Sequence, residues 1–312
     1  MKGVILAAGK GSRLYPVTRI VPKPILPMAN RLTLEYAFDR LKEMGIHDIC
    51  IVVGENEPQM RAALGEGKQF DVHLSYVKQE EPKGLAHAVG FAEEFINREP
   101  FVLYLGDSVY GDGFDKYAAR FTESGCANLN IVQEVEDPSR FGVANVDGER
   151  IVRLVEKPKN PESNLAMAGM YFFGPQLWDV LPTLQPSWRG EYEITDAIQA
   201  LIDKGETVLA GVYNGVWFDT GTLDSYLETS SYLVDGGTLI DSSATVHGHI
   251  GEKVVIGAGA VLECDLIEDS VILPGANVKV SGIIRHAIIG GPVSSGGDVI
   301  SEILHGDYTE IP

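Results

Sequence analysis

A short apolar run, Lys2 to Ala7 with Val4, Ile5 and Leu6 at its centre, stops in the small-residue turn Ala8-Gly9-Lys10-Gly11. That junction sets the terms for the chain around it. The run has the length of a buried first strand. Gly9 and Gly11 give the turn unhindered φ/ψ, and successive peptide N–H groups there can converge on phosphate oxygens. From Met1 to Leu34 the sequence carries Lys2, Lys10, Arg13, Arg19, Lys23 and Arg31 and no Asp or Glu, although the whole chain has 25 basic against 44 acidic residues and a net charge of −19. A wholly cationic start on so acidic a protein points to a local polyanion site, a triphosphate in the first instance. A P-loop is excluded, because Gly9-Lys10 would need glycine where Val4 stands, and Lys10 is followed by Gly11. A dinucleotide fingerprint is excluded as well, because Leu14 fills its third small-residue position.

Beyond the turn, helical and extended patterns alternate. Thr33 to Met44 shows a helical apolar face (Leu34, Ala37, Phe38, Leu41), and Ile46 to Val53 reads as a buried strand. Gln59–Leu64 reads as a helix, Val72–Val77 as a strand, Leu85–Ile96 as a helix and Phe101–Leu105 as a strand ending at Gly106-Asp107. Alternation of this kind predicts a mostly parallel sheet covered on both faces, with ligands at the carboxyl ends of its strands. Gly9 and Asp107 both follow a strand and are therefore expected on that edge. From Ala127 shorter strands take over (130–135, 141–143, 151–155, 167–173), an excursion from the parallel pattern.

Length and composition limit the rest. At 312 residues the chain suits one large domain and a small one, and 45% apolar residues can fill a core. The longest apolar start is shorter than a secretory leader, and no run of about 20 apolar residues exists to span a bilayer, so a cytoplasmic protein with no membrane partner is expected. The acidity argues against nucleic acid as a partner. Cys50, Cys126 and Cys264 are far apart and form no C-x-x-C, and are read as buried thiols.

After Gly236-Gly237 a different period begins. Ile250, Ile256 and Leu262 are six apart, and after a phase break Ile272, Val278 and Ile284 are six apart again, with small residues as neighbours. No 3.6 period is present. This is the pattern of a hexapeptide β-helix, about three coils long. So short a stack is expected to serve assembly into a homo-oligomer, although His247, His249 and His286 leave an opening for chemistry.

The run Leu6-Ala7-Ala8-Gly9-Lys10-Gly11-Ser12-Arg13-Leu14, followed by Pro22-Lys23-Pro24, resembles the signature of the sugar-1-phosphate nucleotidylyltransferases. The likeness covers most of residues 1–234 and comes nearest to the glucose-1-phosphate thymidylyltransferases of the long form, with a C-terminal left-handed β-helix. It implies a Rossmann-like α/β domain with a mostly parallel sheet over residues 1–235, then a short left-handed parallel β-helix and tail over 236–312. By the same resemblance, Leu6, Ala7, Ala8, Gly9 and Gly11 hold the nucleotide, Gln79 reads the pyrimidine edge, and Gly84 lets the backbone approach the ring. Gly142, in Arg140-Phe141-Gly142-Val143, would touch the sugar. Glu156 would bind sugar hydroxyls, Lys157 and Arg189 the sugar phosphate, with Asn164 and Met167 as further contacts. Asp107 and Asp219 (in Trp217-Phe218-Asp219-Thr220-Gly221) would hold Mg²⁺, while Arg13 and Lys23 take the leaving pyrophosphate. Two departures from the family pattern are Ser108, where Gly-Asp-Asn is usual, and Lys23-Pro24, where thymidylyltransferases commonly have Lys-Gln.

The reaction implied is attack of a glucose 1-phosphate oxygen on the α-phosphorus of dTTP or UTP. The base stays open between these two. Other readings are a UTP- or GTP-using pyrophosphorylase for another sugar, a bifunctional enzyme with an acyltransferase tail, and a regulatory subunit that binds nucleotide without turnover.

Overall fold

The computed structural model describes residues 1–306, so the end of the expected tail lies outside the described residues. Among these the chain divides into two compact units, one made of residues 1–9 and 37–217, the other of residues 10–36 and the chain from Phe218 onward.

The first unit is built on a nine-stranded sheet. Its strands are β1 (Lys2–Leu6), β2 (Asp48–Val53), β3 (His73–Lys78), β4 (Phe101–Leu105), β5 (Asn128–Glu134), β6 (Gly142–Asp147), β7 (Arg150–Glu156), β8 (Leu165–Phe173) and β9 (Val208–Val212). They lie in the order β3-β2-β1-β4-β8-β5-β9-β7-β6. The first four are parallel, with Val4 between Cys50 and Leu103. Beyond β4 only β5 and β9 pair in parallel, and the other contacts along that order are antiparallel. The sheet is thus parallel at its core and mixed beyond it, which corrects the expectation of a mostly parallel sheet. The reason is connection length: β6 and β7 are joined by Gly148-Glu149 alone, and a two-residue link permits only an antiparallel hairpin.

The helices are α1 (Thr33–Glu43), α2 (Glu57–Leu64), α3 (Leu85–Gly90), α4 (Asp115–Ser124), α5 (Ile194–Asp203) and α6 (Leu223–Leu233), with shorter turns between. The single helix expected over Leu85–Ile96 is broken after Gly90 and resumes only at Glu93–Ile96. Gly90 carries no side chain to hold the turn, and its backbone freedom weakens a helix interior. In α5 the buried residues Ile194, Ala197, Ile198 and Leu201 follow the i, i+3, i+4, i+7 spacing of one helical face. They join a core that includes Val4, Leu6, Val52, Leu103, Phe101 and Trp178, with Phe101 stacked on both Phe173 and Trp178. Cys50, Cys126 and Cys264 are all buried free thiols, as expected, and burial pushes the Cys50 thiol up to about 12.

In the second unit the C-terminal strands stack in parallel. Thr238 pairs with Val254, Val254 with Ser270 and Ser270 with Ala287, steps of 16, 16 and 17 residues. A second face repeats this from Thr245 through Val261 and Asn277 to Pro292. Ile256, Leu262, Ile272, Val278 and Ile284 fill the interior, each at most 1% exposed. Ile250 does not: its strand lies open and it is 37% exposed. The stack also runs a rung beyond the three coils expected, since Pro292–Ser295 and Val299–Ile300 pair in register although their Gly/Ser-rich sequence hides the period.

Candidate active site

β1 and β4 end side by side. Leu6 pairs with Leu105, and the Gly106 N–H donates to the Leu6 carbonyl at 3.0 Å. Within the first unit this brings the opening of the glycine turn and Asp107, two residues past β4, to the same sheet edge, as the strand pattern predicts. Asn56 holds the turn from beneath. Its amide donates to the Ala7 carbonyl at 2.9 Å while its Oδ1 accepts from Gly54 N–H, also at 2.9 Å. Gly54 is fixed by close approach, since a Cβ there would stand 2.9 Å from the Ala8 carbonyl oxygen. Among the described residues, a Cβ at Gly9 would meet nothing within 4 Å beyond its chain neighbours.

The second unit gathers Arg13, Lys23 and Asp219. Gly11 has φ +63, in the left-handed region, and its carbonyl accepts from the Thr18 hydroxyl at 2.7 Å, which shapes the turn carrying Arg13. Lys23 is only 7% exposed, and its Nζ lies 4.0 Å from Asp219 Oδ1. A carboxylate at that distance offsets part of the cost of burying the ammonium. Gly221 completes the corner: a Cβ on it would collide with the Arg13 guanidinium and come within 3.0 Å of Asp219 Oδ1. Two cations and a carboxylate therefore meet around one glycine.

On the first unit, β6, β7, β8 and the segment leading into α5 bring a second set together. Around Gly142 a Cβ would press on Thr195 Cγ2 (2.6 Å), Met167 Sδ (2.7 Å) and Glu156 Oε2 (3.3 Å), so any larger residue there would have to push these side chains aside. Glu156 accepts from the Thr195 hydroxyl at 3.1 Å and stands 3.5 Å from Lys157 Nζ and 3.6 Å from Arg189. Lys157 itself has φ +42, an uncommon backbone state for a residue with a side chain. Arg189 is engaged by Glu191 at 3.0 Å and Glu193 at 3.2 Å as well. Burial raises the Glu193 carboxyl above the usual range, with the Ser187 hydroxyl and Arg189 pulling it back, and burial beside Glu156 raises Asp196. Asn164 is exposed at the head of β8, where its carbonyl accepts from Val135 N–H.

Gln79 follows β3 directly and is 6% exposed. The loop after it is pinned to Tyr192 by two backbone hydrogen bonds, Tyr192 N–H to Lys83 at 2.7 Å and Ala86 N–H to Tyr192 at 3.0 Å. Gly84 has φ +107, and a Cβ there would lie 2.5 Å from the Tyr192 carbonyl oxygen. Sequence reasoning did not single out Asn56, His87, Glu193 or Thr195. Each acts through a partner distant in the chain or on a loop, where no period marks it.

No group of three or more His, Cys, Asp or Glu side chains able to hold a metal occurs among the described residues. Asp107 at the sheet edge and Asp219 beside Lys23 are carboxylates of the kind a hard cation takes together with oxygens from phosphate and water.

A family model described as nucleotidyl transferase matches residues 2–236. The low-salt glycan biosynthesis nucleotidyltransferase Agl11 of Haloferax volcanii is 39% identical over 97% of this chain and 96% of its own length. The glucose-1-phosphate thymidylyltransferase of Streptomyces antibioticus is 37% identical over 96% of this chain and 83% of its own. Among solved structures, a Bacillus anthracis chain provisionally named a glucose-1-phosphate thymidylyltransferase, crystallised with sucrose, superposes with a TM-score of 0.71 at 36% identity, over 75% of this chain and 96% of that one. A UDP-glucose pyrophosphorylase complexed with UDP-glucose gives 0.69 at 28% identity, over 75% of this chain and 98% of that one.

Proposed function

The chain belongs to the nucleotidyl transferase family and is a sugar-1-phosphate nucleotidyltransferase, and from that premise we propose that it joins dTTP or UTP to glucose 1-phosphate, releasing pyrophosphate. The observation that carries this reading is the corner of Arg13, Lys23 and Asp219 around Gly221, on the chain that leaves the glycine turn. It has the makings of a phosphate cradle: two cations and a carboxylate gathered at one glycine.

A phosphate monoester is already anionic near neutral pH, with its second pKa about 6, so the nucleophile needs no base. What opposes reaction is charge, because two polyanions must meet and negative charge must build on the leaving group. Transfer of this kind depends on positioning and electrostatic stabilisation. Leu6, Ala7, Ala8, Gly9 and Gly11 supply a backbone close to the triphosphate, and Arg13 and Lys23 take the pyrophosphate. Gln79 and Gly84 receive the base. Glu156 accepts from sugar hydroxyls, with Gly142, Asn164 and Met167 lining that side, and Lys157 and Arg189 hold the sugar phosphate in line. Arg189 exchanges part of its carboxylate set for phosphate. Asp107 and Asp219 would hold Mg²⁺, which when bound neutralises phosphate charge.

In this reading residues 1–235 are the catalytic domain, and the stacked strands after 236 form a short left-handed β-helix that assembles a cytoplasmic homo-oligomer.

The test is pyrophosphate release from dTTP, UTP, GTP and CTP, each paired with glucose 1-phosphate and other hexose 1-phosphates, with Mg²⁺ present. Turnover is expected first with dTTP or UTP and glucose 1-phosphate. Asp107→Asn and Asp219→Asn should each lower it by at least about a hundredfold with the fold intact. Preference for GTP with another sugar would replace the substrate assignment, and near-normal rates in both variants would remove the aspartates from the site.

A further inference from the structure

Gln79 has an amide that could face a base in either of two ways, and the chain settles which. Its Nε2 donates to the Gly84 carbonyl at 3.3 Å and meets His87 Nδ1 at 3.0 Å. An amide nitrogen has two N–H groups, and here both have acceptors. The second holds only while His87 Nδ1 carries a lone pair, that is, while the ring is neutral with its proton on Nε2.

The surroundings favour that state. His87 sits on α3, edge-on to Phe91 at 5.0 Å and stacked on Tyr192 at 6.2 Å. It lines a cavity of about 340 Å³ together with Lys83, Glu93 and Trp178. Burial and the Lys83 ammonium hold its pKa below the ordinary histidine value, against a smaller opposing pull from Glu81. Lys83 is itself paired with Glu81 through its ammonium.

We propose that His87 is a positioning residue for base selection: by accepting from the Gln79 amide it leaves Oε1 as the part of that side chain offered to the base, so the pocket selects a ring bearing N–H at that edge. Thymine and uracil present N3–H and satisfy the oxygen. Cytosine presents a bare N3 with a lone pair, which would face another lone pair. A buried polar atom left unmatched in this way is what gives a hydrogen-bonding site its power to reject. The proposal rests on Gln79 reading the base, as set out above, and adds what holds Gln79. Without the Nδ1 acceptor only the longer bond to the Gly84 carbonyl orients the amide, so it turns over more readily and can offer its NH₂ group, which would suit cytosine as well.

The experiment measures equilibrium dissociation constants for dTTP and dCTP at pH 8 in wild type, His87→Leu and His87→Asn. The ratio of the two constants within one protein is the readout, because general damage to the site weakens both nucleotides and cancels. Asparagine can place an amide oxygen where Nδ1 stands and restore the acceptor, whereas leucine cannot. In wild type dTTP should bind at least about a hundredfold more tightly than dCTP. His87→Leu should reduce that ratio by about tenfold or more, and His87→Asn should restore most of it. A His87→Leu ratio equal to that of wild type overturns the proposal, even if both affinities fall, and so does equal binding of the two nucleotides to wild type. Pyrophosphate release is run on the same samples. If the ratios behave as stated but no sugar phosphate supports release, the reaction assigned above fails and the role of His87 stands.

Discussion

Gly221 shows how much one missing methyl group can settle. Arg13 and Asp219 crowd the place its side chain would take, so a larger residue there must displace the guanidinium. Gly221→Ala should push the Arg13 guanidinium aside and reproduce the effect of Arg13→Ala. In both variants kcat should fall by about a hundredfold, while the KM for sugar phosphate changes less than about threefold, because the arginine meets charge that grows in the transition state. Steady-state kinetics against glucose 1-phosphate decides it, and a change confined to that KM would move Arg13 to the other substrate. The identity of these residues was legible, since each stands in a recognisable run. Their company was not. Lys23 and Asp219 meet across 196 positions of chain (219 less 23), and no local pattern encodes a pairing of that span. Arg189 likewise read as a phosphate ligand, with nothing to say that Glu156, Glu191 and Glu193 would all engage it.

Among the elements, the stack announced itself through its period and hid its geometry in the interruptions. Ile256 to Leu262 is six residues and Leu262 to Ile272 is ten, and together they make the 16-residue step by which Ile256 pairs with Ile272. The phase break falls inside that step. His286 shows what periodicity could not reveal. It stands in the left-handed region at φ +54, with Nδ1 at 2.6 Å from Asp269 and Nε2 at 2.8 Å from Asp224 at the start of α6. Burial by itself would depress its pKa, but hydrogen bonds and charge from the two aspartates outweigh that and raise it above the ordinary 6.5. A pKa raised by folding contributes stability that is fully present below the unfolded value and disappears as pH rises through the folded one. His286→Asn, which keeps a residue tolerant of that backbone state, should therefore cost on the order of 1 kcal/mol at pH 6, given how exposed Asp224 is. The cost should shrink toward zero by pH 9. Urea unfolding of both proteins at the two pH values measures it, and a gap that widens with pH would show that the aspartates do not bind the charged ring.

Taken as a whole, the chain divides by contact differently from the way it divides by sequence texture. Composition changes once, after Gly237, yet Lys10–Tyr36 belongs with the C-terminal strands. The Asn30 amide donates to the Ile256 carbonyl at 3.1 Å, and Tyr15, Pro16 and Arg19 line a cavity of about 500 Å³ with residues 292–294 and 303–306. Alternating strands and helices could be read along the chain, because each element's period is local. The docking of an early loop on late strands is a long-range fact, carried by contacts such as the Asn30–Ile256 hydrogen bond that no window of sequence contains. It has a consequence for activity. Arg13 and Lys23 lie on that loop, so their placement should depend on strands that contribute no proposed site residue. Ile272→Ala removes a side chain that is 1% exposed in the aliphatic interior of the stack, which should destabilise it by about 2–4 kcal/mol. Calorimetry should show an early transition moved to lower temperature while the remaining unfolding changes little. Pyrophosphate release should vanish with that early transition, because the loop loses its support before the nine-stranded sheet melts. Activity that persisted until the last transition would mean that the loop holds Arg13 and Lys23 in place without the coils beneath it.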